Sequence, residues 1–572
     1  MCGIAGYYSF GDNQISNREI LNLFQSIKHR GPDGSGQWIS KKKDSLLINV
    51  RLAIQDLNRL ANQPIKSTND NFIIIFNGEI YNYKKLKLDL LKDYNFRTES
   101  DTEVILALYI KYKENCVNFL EGMFSFAIMD ISKNEIFLAR DPFGIKPLYY
   151  HISKNNFWFS SEIKSFSKIS SKLIKNEKII FDYLNSEYYE NVEETFYKNI
   201  YKVKPGYFYI ISKNGIKKTK YWHFDKELNK IKIPNKKKDK EFYFKDLICN
   251  TVKNSFVSQV PISVATSGGL DSSIILDIAN KAGCQVEAES FIFNEKNFSE
   301  FKFIQKTLKK NKISGNQLII TPDKFLKNYK EIISNMAEPF AGLPIISYYL
   351  LIKNMKNKVI LDGSGLDEAH HGYDKYLINE KKYNFSIFQD GSNYETQYII
   401  SKTLYNKYKN SQNAFKDHFE ESYLNNMYND VFYAKLPRAL RFRDNLSMTH
   451  AVELRPSFLQ KKLILSFFKL KKEEHYKNKY GKYFLRTLFK KNLGNNIAFR
   501  KKQNIQTPQT TWFRTDLSKW LENYIKRTEI WDMGWIDKKN FLKHYNLFID
   551  KKINNSFFIW QLINLDKWKN II

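Results

Sequence analysis

The sequence predicts an α/β protein of two domains. Three observations carry that expectation. The chain has 572 residues, where a domain takes roughly 100–200. Residues 226–241 are rich in lysine and carry Pro234, the composition of an exposed connector. The motifs change in kind across that stretch. Before it lie short apolar runs that end in polar, glycine-bearing clusters; after it comes a strand, a Gly/Ser loop and a helix. The expected units are therefore 1–225, a charged connector 226–241, and 242–572.

Hydrophobic residues make up 43% and aromatic residues 16%, enough for large cores. No apolar run approaches the roughly 18 residues of a membrane span. The N-terminus lacks a basic segment followed by an apolar one, so no secretory signal is expected. Cys2, Cys116, Cys249 and Cys284 lie far apart and form no metal-type pair. Nothing suggests a disulfide scaffold, and a reducing cytoplasm is the expected setting. The net charge of +31 accompanies an abundance of Lys, Asn, Ile, Phe and Tyr, as an AT-rich genome produces. The lysines are spread along the chain with no DNA- or RNA-binding signature. Neither nucleic acid nor membrane is an expected partner.

In the first unit, Phe72–Phe76 reads as a buried strand ending in a turn at Asn77-Gly78. Phe124–Asp130 and Glu135–Ala139 read as further strands. Asp101–Lys113 is helical, with apolar residues at 104, 105, 108 and 109. Two sheets with helices outside fit this pattern. Cys2 follows Met1 directly. Once Met1 is removed, Cys2 carries both a thiol, whose thiolate is a nucleophile, and an α-amine of pKa about 7.7–8.0. That amine is able to take the thiol proton. A thiol attacking an amide also needs oxyanion donors, which the Asn77 side chain and the Gly78 N–H would supply. An arginine suits a substrate carboxylate, and an aspartate suits an ammonium.

Cys2, Asn77-Gly78-Glu79-Ile80-Tyr81-Asn82, Ser100-Asp101, the run Arg140–Tyr150 and Ser161–Lys164 occur in one order. Together they resemble the glutaminase domain of class II glutamine amidotransferases, an αββα sandwich of the N-terminal-nucleophile type. The resemblance implies Cys2 as nucleophile with its own amine as base, and Asn77 and Gly78 as the oxyanion hole. It implies Arg51 on the glutamine carboxylate, with Asp101 and Glu79 on the α-amine side.

In the second unit, Ile262–Thr266 is a strand candidate. It leads into Ser267-Gly268-Gly269-Leu270-Asp271-Ser272-Ser273 and a helix through Ile274–Ala279. A Gly/Ser loop at a helix N-terminus cradles anions with backbone N–H groups. The lysine of a Walker loop is absent. Asp271 among phosphates requires a bridging cation, which points to Mg²⁺. The string resembles the pyrophosphate loop of ATP pyrophosphatases. Behind a class II glutaminase, it identifies the chain as similar to the glutamine-hydrolysing asparagine synthetase family. Leu361–Glu368, Asp444–Met448, Glu453–Leu459 and Lys482–Arg486 fit as well.

The resemblance implies an α/β synthetase domain with a parallel sheet and added helices. It implies an ATP site of Ser267, Gly268, Gly269, Asp271, Ser272, Ser273 and Gly363. Mg²⁺ would sit on Asp271 and Asp367, and Lys482 would stabilise developing charge on pyrophosphate and the acyl adenylate. Glutamine and a carboxylate acceptor are the implied substrates, with a homodimer left open. The helical pattern from about 430 to 570, with Trp512, Trp520, Trp531, Trp535 and Trp560, reads as core. Residues 376–430 are polar and Tyr/Asn-rich, either a lid or a peripheral excursion.

The family usually reads Ser-Gly-Glu-Gly where this chain has Asp362-Gly363-Ser364-Gly365, and Phe-Gly-Gly-Tyr where it has His370-His371-Gly372-Tyr373. Gln460 stands in place of a usual aspartate. Serine is no base near neutral pH, and His370 or His371 is a candidate replacement. The leading expectation is an amidotransferase that converts aspartate or a related carboxylate to an amide, releasing AMP and pyrophosphate. The alternative acceptor is a sugar or uronic-acid carboxylate of a surface polysaccharide. A basic binding protein with vestigial sites is the remote alternative.

Overall fold

Side chains along a strand alternate between its two faces, and that alternation builds the N-terminal half. In β1 (Cys2–Ser9), Ile4 and Tyr8 enter one apolar cluster while Ala5 and Tyr7 enter another. The structure, a computed structural model, describes residues 2–169, 173–185, 189–190, 193–373, 376, 397–411, 417–501 and 507–571. Strands β2 (Gly34–Ile39) and β3 (Ser45–Arg51) extend the sheet of β1 on one side. A second sheet contains β4 (Ile65–Lys66), β5 (Phe72–Ile80), β6 (Gly122–Asp130) and β7 (Glu135–Arg140). β8 (Tyr149–Ser153), β9 (Asn156–Ser160) and β10 (Ile200–Lys202) complete the first sheet, in the order β10-β8-β9-β1-β3-β2. β11 (Tyr207–Ser212) and β12 (Gly215–Lys220) complete the second, in the order β12-β11-β7-β6-β5-β4.

The described pairings within both sheets are antiparallel. Ile4, Leu47, Ile73 and Ile75 fill the space between them. The helix Asn17–Ile27 covers the first sheet through Ile20, Leu23 and Ile27. The helix Asp101–Tyr112 covers the second through Val104, Ile105 and Leu108, against Ile74 and Phe76. The layers are thus αββα, as expected.

The expected turn at Asn77-Gly78 is instead strand: β5 runs on to Ile80, with Asn77 opposite Ser125 and Gly78 opposite Phe124. The glycine serves close approach, because a Cβ at Gly78 would collide with the Met123 carbonyl oxygen. Much of the charged stretch 226–241 is helical, within Phe224–Lys230 and Lys237–Asn254. Phe224 and Leu228 are buried, and Lys240 pairs with Glu474 at 2.9 Å.

The C-terminal half holds a parallel sheet of β13 (Ile262–Ala265), β14 (Val286–Phe293), β15 (Gly315–Ile320), β16 (Val359–Asp362) and β17 (Glu453–Pro456). Its order is β15-β14-β13-β16-β17, so the chain reverses direction of growth at β13. Ligands of open α/β sheets bind at the carboxyl ends of strands beside such a reversal. Ile262, Val264, Val359 and Leu361 pack with Leu270, Ile274 and Ile275 of the helix Leu270–Lys281. Trp512 and Trp560 are fully buried, Trp535 is buried, and Trp520 and Trp531 lie against the same core. That core is continuous with the N-terminal half through Phe181, Tyr183 and Ile332. Of the stretch 376–430, residues 377–396 and 412–416 lie outside the described residues. Among the described residues no helix is long and apolar enough to cross a membrane.

Candidate active sites

Two polar constellations stand where the motifs fall. The first surrounds Cys2, which begins β1 opposite Arg51 of β3. Cys2 is buried, and that burial pushes its thiol up against the lowering effect of the Leu52 backbone and the Arg51 charge. The Cys2 backbone N–H donates to Asn77 Oδ1 at 3.1 Å. Asn77 Nδ2 is buried with no hydrogen-bond partner among the described residues, so an N–H donor is left over beside the thiol's own residue. Asp101 opens its helix, and its Oδ2 accepts the Ile80 N–H at 2.9 Å. Burial raises the Asp101 carboxyl to about 6, against the pull of that N–H. Glu79 is pushed up to about 8 by burial and by the Glu453 charge, partly offset by Arg455. Its carboxyl receives the Gln55 side-chain amide and lies 3.2 Å from Arg455 Nη2. The Arg51 guanidinium donates to the carbonyls of Gln55, Asp56 and Asn58 and to Asn62 Oδ1.

Two buried cations were not assigned a role from sequence. Arg30 donates from Nε to the Cys2 carbonyl at 3.2 Å. Its Nη1 meets Glu162 at 2.5 Å and its Nη2 meets Asp444 at 2.8 Å. Arg455 joins Glu79 to Glu453, which lies 2.5 Å from Arg455 Nε. Asp444, Glu453 and Arg455 belong to the C-terminal half, so both cations bridge the halves beside Cys2. Long sequence separations hid the pairs that cross the halves, although Glu79, Glu162, Asp444, Glu453 and Arg455 all lie in segments that carry the family resemblance.

The second constellation forms at the carboxyl ends of β13 and β16, in a cavity of about 580 Å³. Gly268 has φ +64°, and a Cβ there would crowd the backbone of Phe303 and Ile304. This left-handed turn brings the chain from β13 into the helix Leu270–Lys281, whose N-cap is Gly269. The Ser273 hydroxyl donates to the Gly269 carbonyl at 2.7 Å. Arg500 donates to the Gly268 carbonyl at 3.0 Å and pairs with Glu300 at 2.8 Å. Asp271, Asp367 and Lys482 meet here: Lys482 Nζ is 2.5 Å from a carboxylate oxygen of each. Local composition makes Lys482 look like a surface lysine, yet it is buried and caps the helix Tyr483–Leu493 at φ +53°. A Cβ on Gly363 would lie 2.7 Å from the Asp271 Cβ, so Gly363 lets the two loops close. Asp271 Oδ1 is buried with no hydrogen-bond partner among the described residues. Two carboxylates at one point and a spare buried oxygen suit a hard divalent cation.

Ser364, the departure in the family string, donates from N and Oγ to Asp362 Oδ1 at 3.0 and 2.7 Å. Asp362 Oδ2 lies 2.7 Å from Arg443. A carboxylate therefore stands at 362, two residues before the position where serine replaces glutamate. His370 and His371 do not suit the role of base. Both are buried and absent from the cavity lining. Burial pushes the His370 imidazole well below its ordinary range and the His371 imidazole down to about 4.

The chain matches two protein-family models, the glutamine amidotransferase domain over residues 1–222 and asparagine synthase over residues 243–570. It is 28% identical to asparagine synthetase [glutamine-hydrolyzing] 1 of Bacillus subtilis, over 99% of this chain and 97% of that protein. The same organism's asparagine synthetase [glutamine-hydrolyzing] 3 is 25% identical, over 91% of this chain and 89% of that protein. An Arabidopsis thaliana asparagine synthetase [glutamine-hydrolyzing] 3 is 28% identical, over 65% of this chain and 61% of that protein.

Proposed function

The chain belongs to the glutamine-hydrolysing asparagine synthetase family, and from that premise we propose how its residues divide the reaction. Residues 1–225 form the glutaminase unit and 242–572 the synthetase unit, joined through 226–241. With Met1 removed, the Cys2 α-amine takes the thiol proton and the thiolate attacks the glutamine amide carbon. Asn77 Nδ2 and the Gly78 N–H receive the oxyanion, which is why a buried, unbonded Asn77 Nδ2 supports the reading. Arg51 faces the substrate α-carboxylate, and Glu79 and Asp101 its ammonium. The thioester forms, ammonia leaves, and water releases glutamate from Cys2.

In the synthetase unit, ATP lies with its phosphates on Ser267, Gly268, Gly269, Ser272 and Ser273 and beside Gly363. Asp271 and Asp367 would hold Mg²⁺, which supplies positive charge to the phosphate oxygens. The acceptor carboxylate, aspartate or a close relative, attacks the α-phosphorus, and pyrophosphate leaves. Lys482 neutralises charge on the leaving pyrophosphate and then on the acyl adenylate. Ammonia, kept inside the protein and away from acid, displaces AMP to give the amide. The observation that carries this assignment is the meeting of Asp271, Asp367 and Lys482, far apart in sequence, at 2.5 Å contacts. Chromatography of the nucleotides formed with Mg-ATP, glutamine and aspartate tests it. AMP and pyrophosphate are expected; ADP and orthophosphate would refute the reading of Ser267–Ser273.

A further inference from the structure

The three histidines beneath the ATP site sit between the two segments that carry Asp367 and Lys482. His370 follows the short helix Leu366–Ala369, which contains Asp367. His475 ends the helix Lys472–His475 and precedes the hairpin of β18 (Tyr476–Lys477) and β19 (Tyr480–Gly481), whose next residue is Lys482. His370 Nδ1 and His475 Nδ1 are 2.6 Å apart, and both rings are wholly buried. The His370 ring stacks on Phe467 with centroids 4.7 Å apart. The same two segments touch again at the backbone, where a Cβ on Gly481 would collide with the His371 carbonyl oxygen.

We propose that His370 and His475 are positioning residues: an N–H···N hydrogen bond between them clamps the Asp367 segment to the Lys482 hairpin. The inference rests on the assignment of Asp367 and Lys482 to the ATP reaction. A bond between two Nδ1 atoms needs one imidazole as donor and the other as acceptor, hence two neutral rings of opposite tautomer. Their surroundings enforce neutrality. Lys482, Arg486 and His371 face His370; His371 and the carbonyls of Phe467 and Leu470 face His475. Burial above all pushes both imidazoles well below their ordinary range; the charges of Lys482 and Arg486 add to it at His370, and the Phe467 and Leu470 carbonyls oppose it at His475. Among the described residues no ladder joins the Asp367 segment to the Lys482 hairpin, for β18 and β19 pair with each other. Their mutual position therefore rests on side-chain contacts, the Lys482–Asp367 pair at the site and the histidine contact behind it, and an error of an ångström there costs about a hundredfold in rate.

The test uses the full chain with His475→Phe, which keeps a ring but removes the bond, and His475→Asn, whose side-chain amide reaches where Nδ1 stood. Amide hydrogen exchange is followed in 366–373 and 476–483, and ammonia-driven AMP formation from Mg-ATP in parallel. The Phe variant is expected to exchange faster in both segments and to lose about tenfold in kcat, with KM for ATP and glutaminase activity within about twofold of wild type. The Asn variant is expected to recover most of both losses. Unchanged exchange in the Phe variant overturns the clamp. Faster exchange with unchanged kcat overturns its positioning role. Wild-type protein that forms no AMP would overturn the ATP assignment instead, and the exchange data would still decide the clamp.

Discussion

Glutamate placed at 364 should cripple this enzyme, and removing Asp362 should rescue it. Ser364 N and Oγ both bind Asp362 Oδ1, at 3.0 and 2.7 Å, so any side chain at 364 starts beside that carboxylate. A second carboxylate, introduced at 364 about 4 Å from Asp362, would be repelled by ~4 kcal/mol at an effective dielectric near 20. Arg443 already lies 2.7 Å from Asp362, so its charge offsets part of that repulsion. Allowing part of the repulsion to be relieved by side-chain rotation leaves a coupling of ~2–3 kcal/mol, or about 30–150-fold. The assay is kcat/KM for AMP formation with aspartate, ammonia and Mg-ATP, across wild type, Ser364→Glu, Asp362→Ser and the double variant. Ser364→Glu should fall at least about 30-fold, and the double variant should exceed it by a similar factor. Effects that add to within about 0.5 kcal/mol would refute the claim that one carboxylate has moved from 364 to 362.

Three further outcomes follow from the two sites. Cys2→Ala should abolish glutamine-driven AMP formation and spare the ammonia-driven reaction; loss of both in folded protein would break the two-site assignment. Asp271→Asn and Asp367→Asn should each eliminate AMP and pyrophosphate formation while glutaminase activity stays measurable, because each removes charge that a Mg²⁺–phosphate site needs. Glu79, raised to about 8, is mostly protonated at pH 7, and an arriving ammonium favours its charged form. Glutamine binding to the Cys2→Ala variant should therefore be accompanied by net proton release at pH 7. Calorimetry in buffers of different ionisation enthalpy reads this directly, and a buffer-independent heat would exclude it.

Much of the fold was legible because its physics is local. The unbroken apolar run Phe72–Phe76 and the apolar spacing after Asp101 are short-range signals, and they gave a strand and a helix that the structure contains. The error at Asn77-Gly78 has a specific cause. Gly-bearing dipeptides signal turns, but Gly78 serves the close approach of β6, which lies about 45 residues away and leaves no local trace. The charged stretch 226–241 misled for the opposite reason: its burial is confined to Leu228 and Lys240, while its other side chains are mostly exposed. Local composition alone made Lys482 look like a solvated lysine; only the family string Lys482–Arg486 singled it out, and the fold then places it between Asp271 and Asp367. The Asp362–Arg443 pair and the His370–His475 contact are likewise products of the tertiary fold. Sequence pattern marked the segments that carry chemistry; it could not pair charges across 80 or more residues.

Arg455 shows that the two halves are not independent sites on a shared chain. Its guanidinium is fully buried and meets Glu453 at 2.5 Å, Glu79 at 3.2 Å, and the carbonyls of Ser255 and Val257 at 2.9 and 2.7 Å. Against the opposing effect of burial, Arg455 and, more weakly, Lys146 hold the Glu453 carboxyl down at about 2. A carboxyl held below its ordinary range contributes stability that is present above pH 4.5 and lost as pH falls toward 2. Arg455→Met leaves the buried Glu453 carboxylate without its cation, a change that costs about 3–5 kcal/mol. The urea midpoint of the variant should therefore fall well below wild type at pH 7, and the gap should narrow as pH drops through 4 toward 2. Glu79, which Arg455 now holds partly charged, should shift further up, so the variant's KM for glutamine should rise more steeply than wild type's as pH falls from 9 to 7. Equal midpoints at pH 7, or an unchanged pH dependence of KM, would refute the argument. If it holds, the synthetase half supplies a residue that sets the charge of the glutamine pocket, and a glutaminase half expressed alone would lack it.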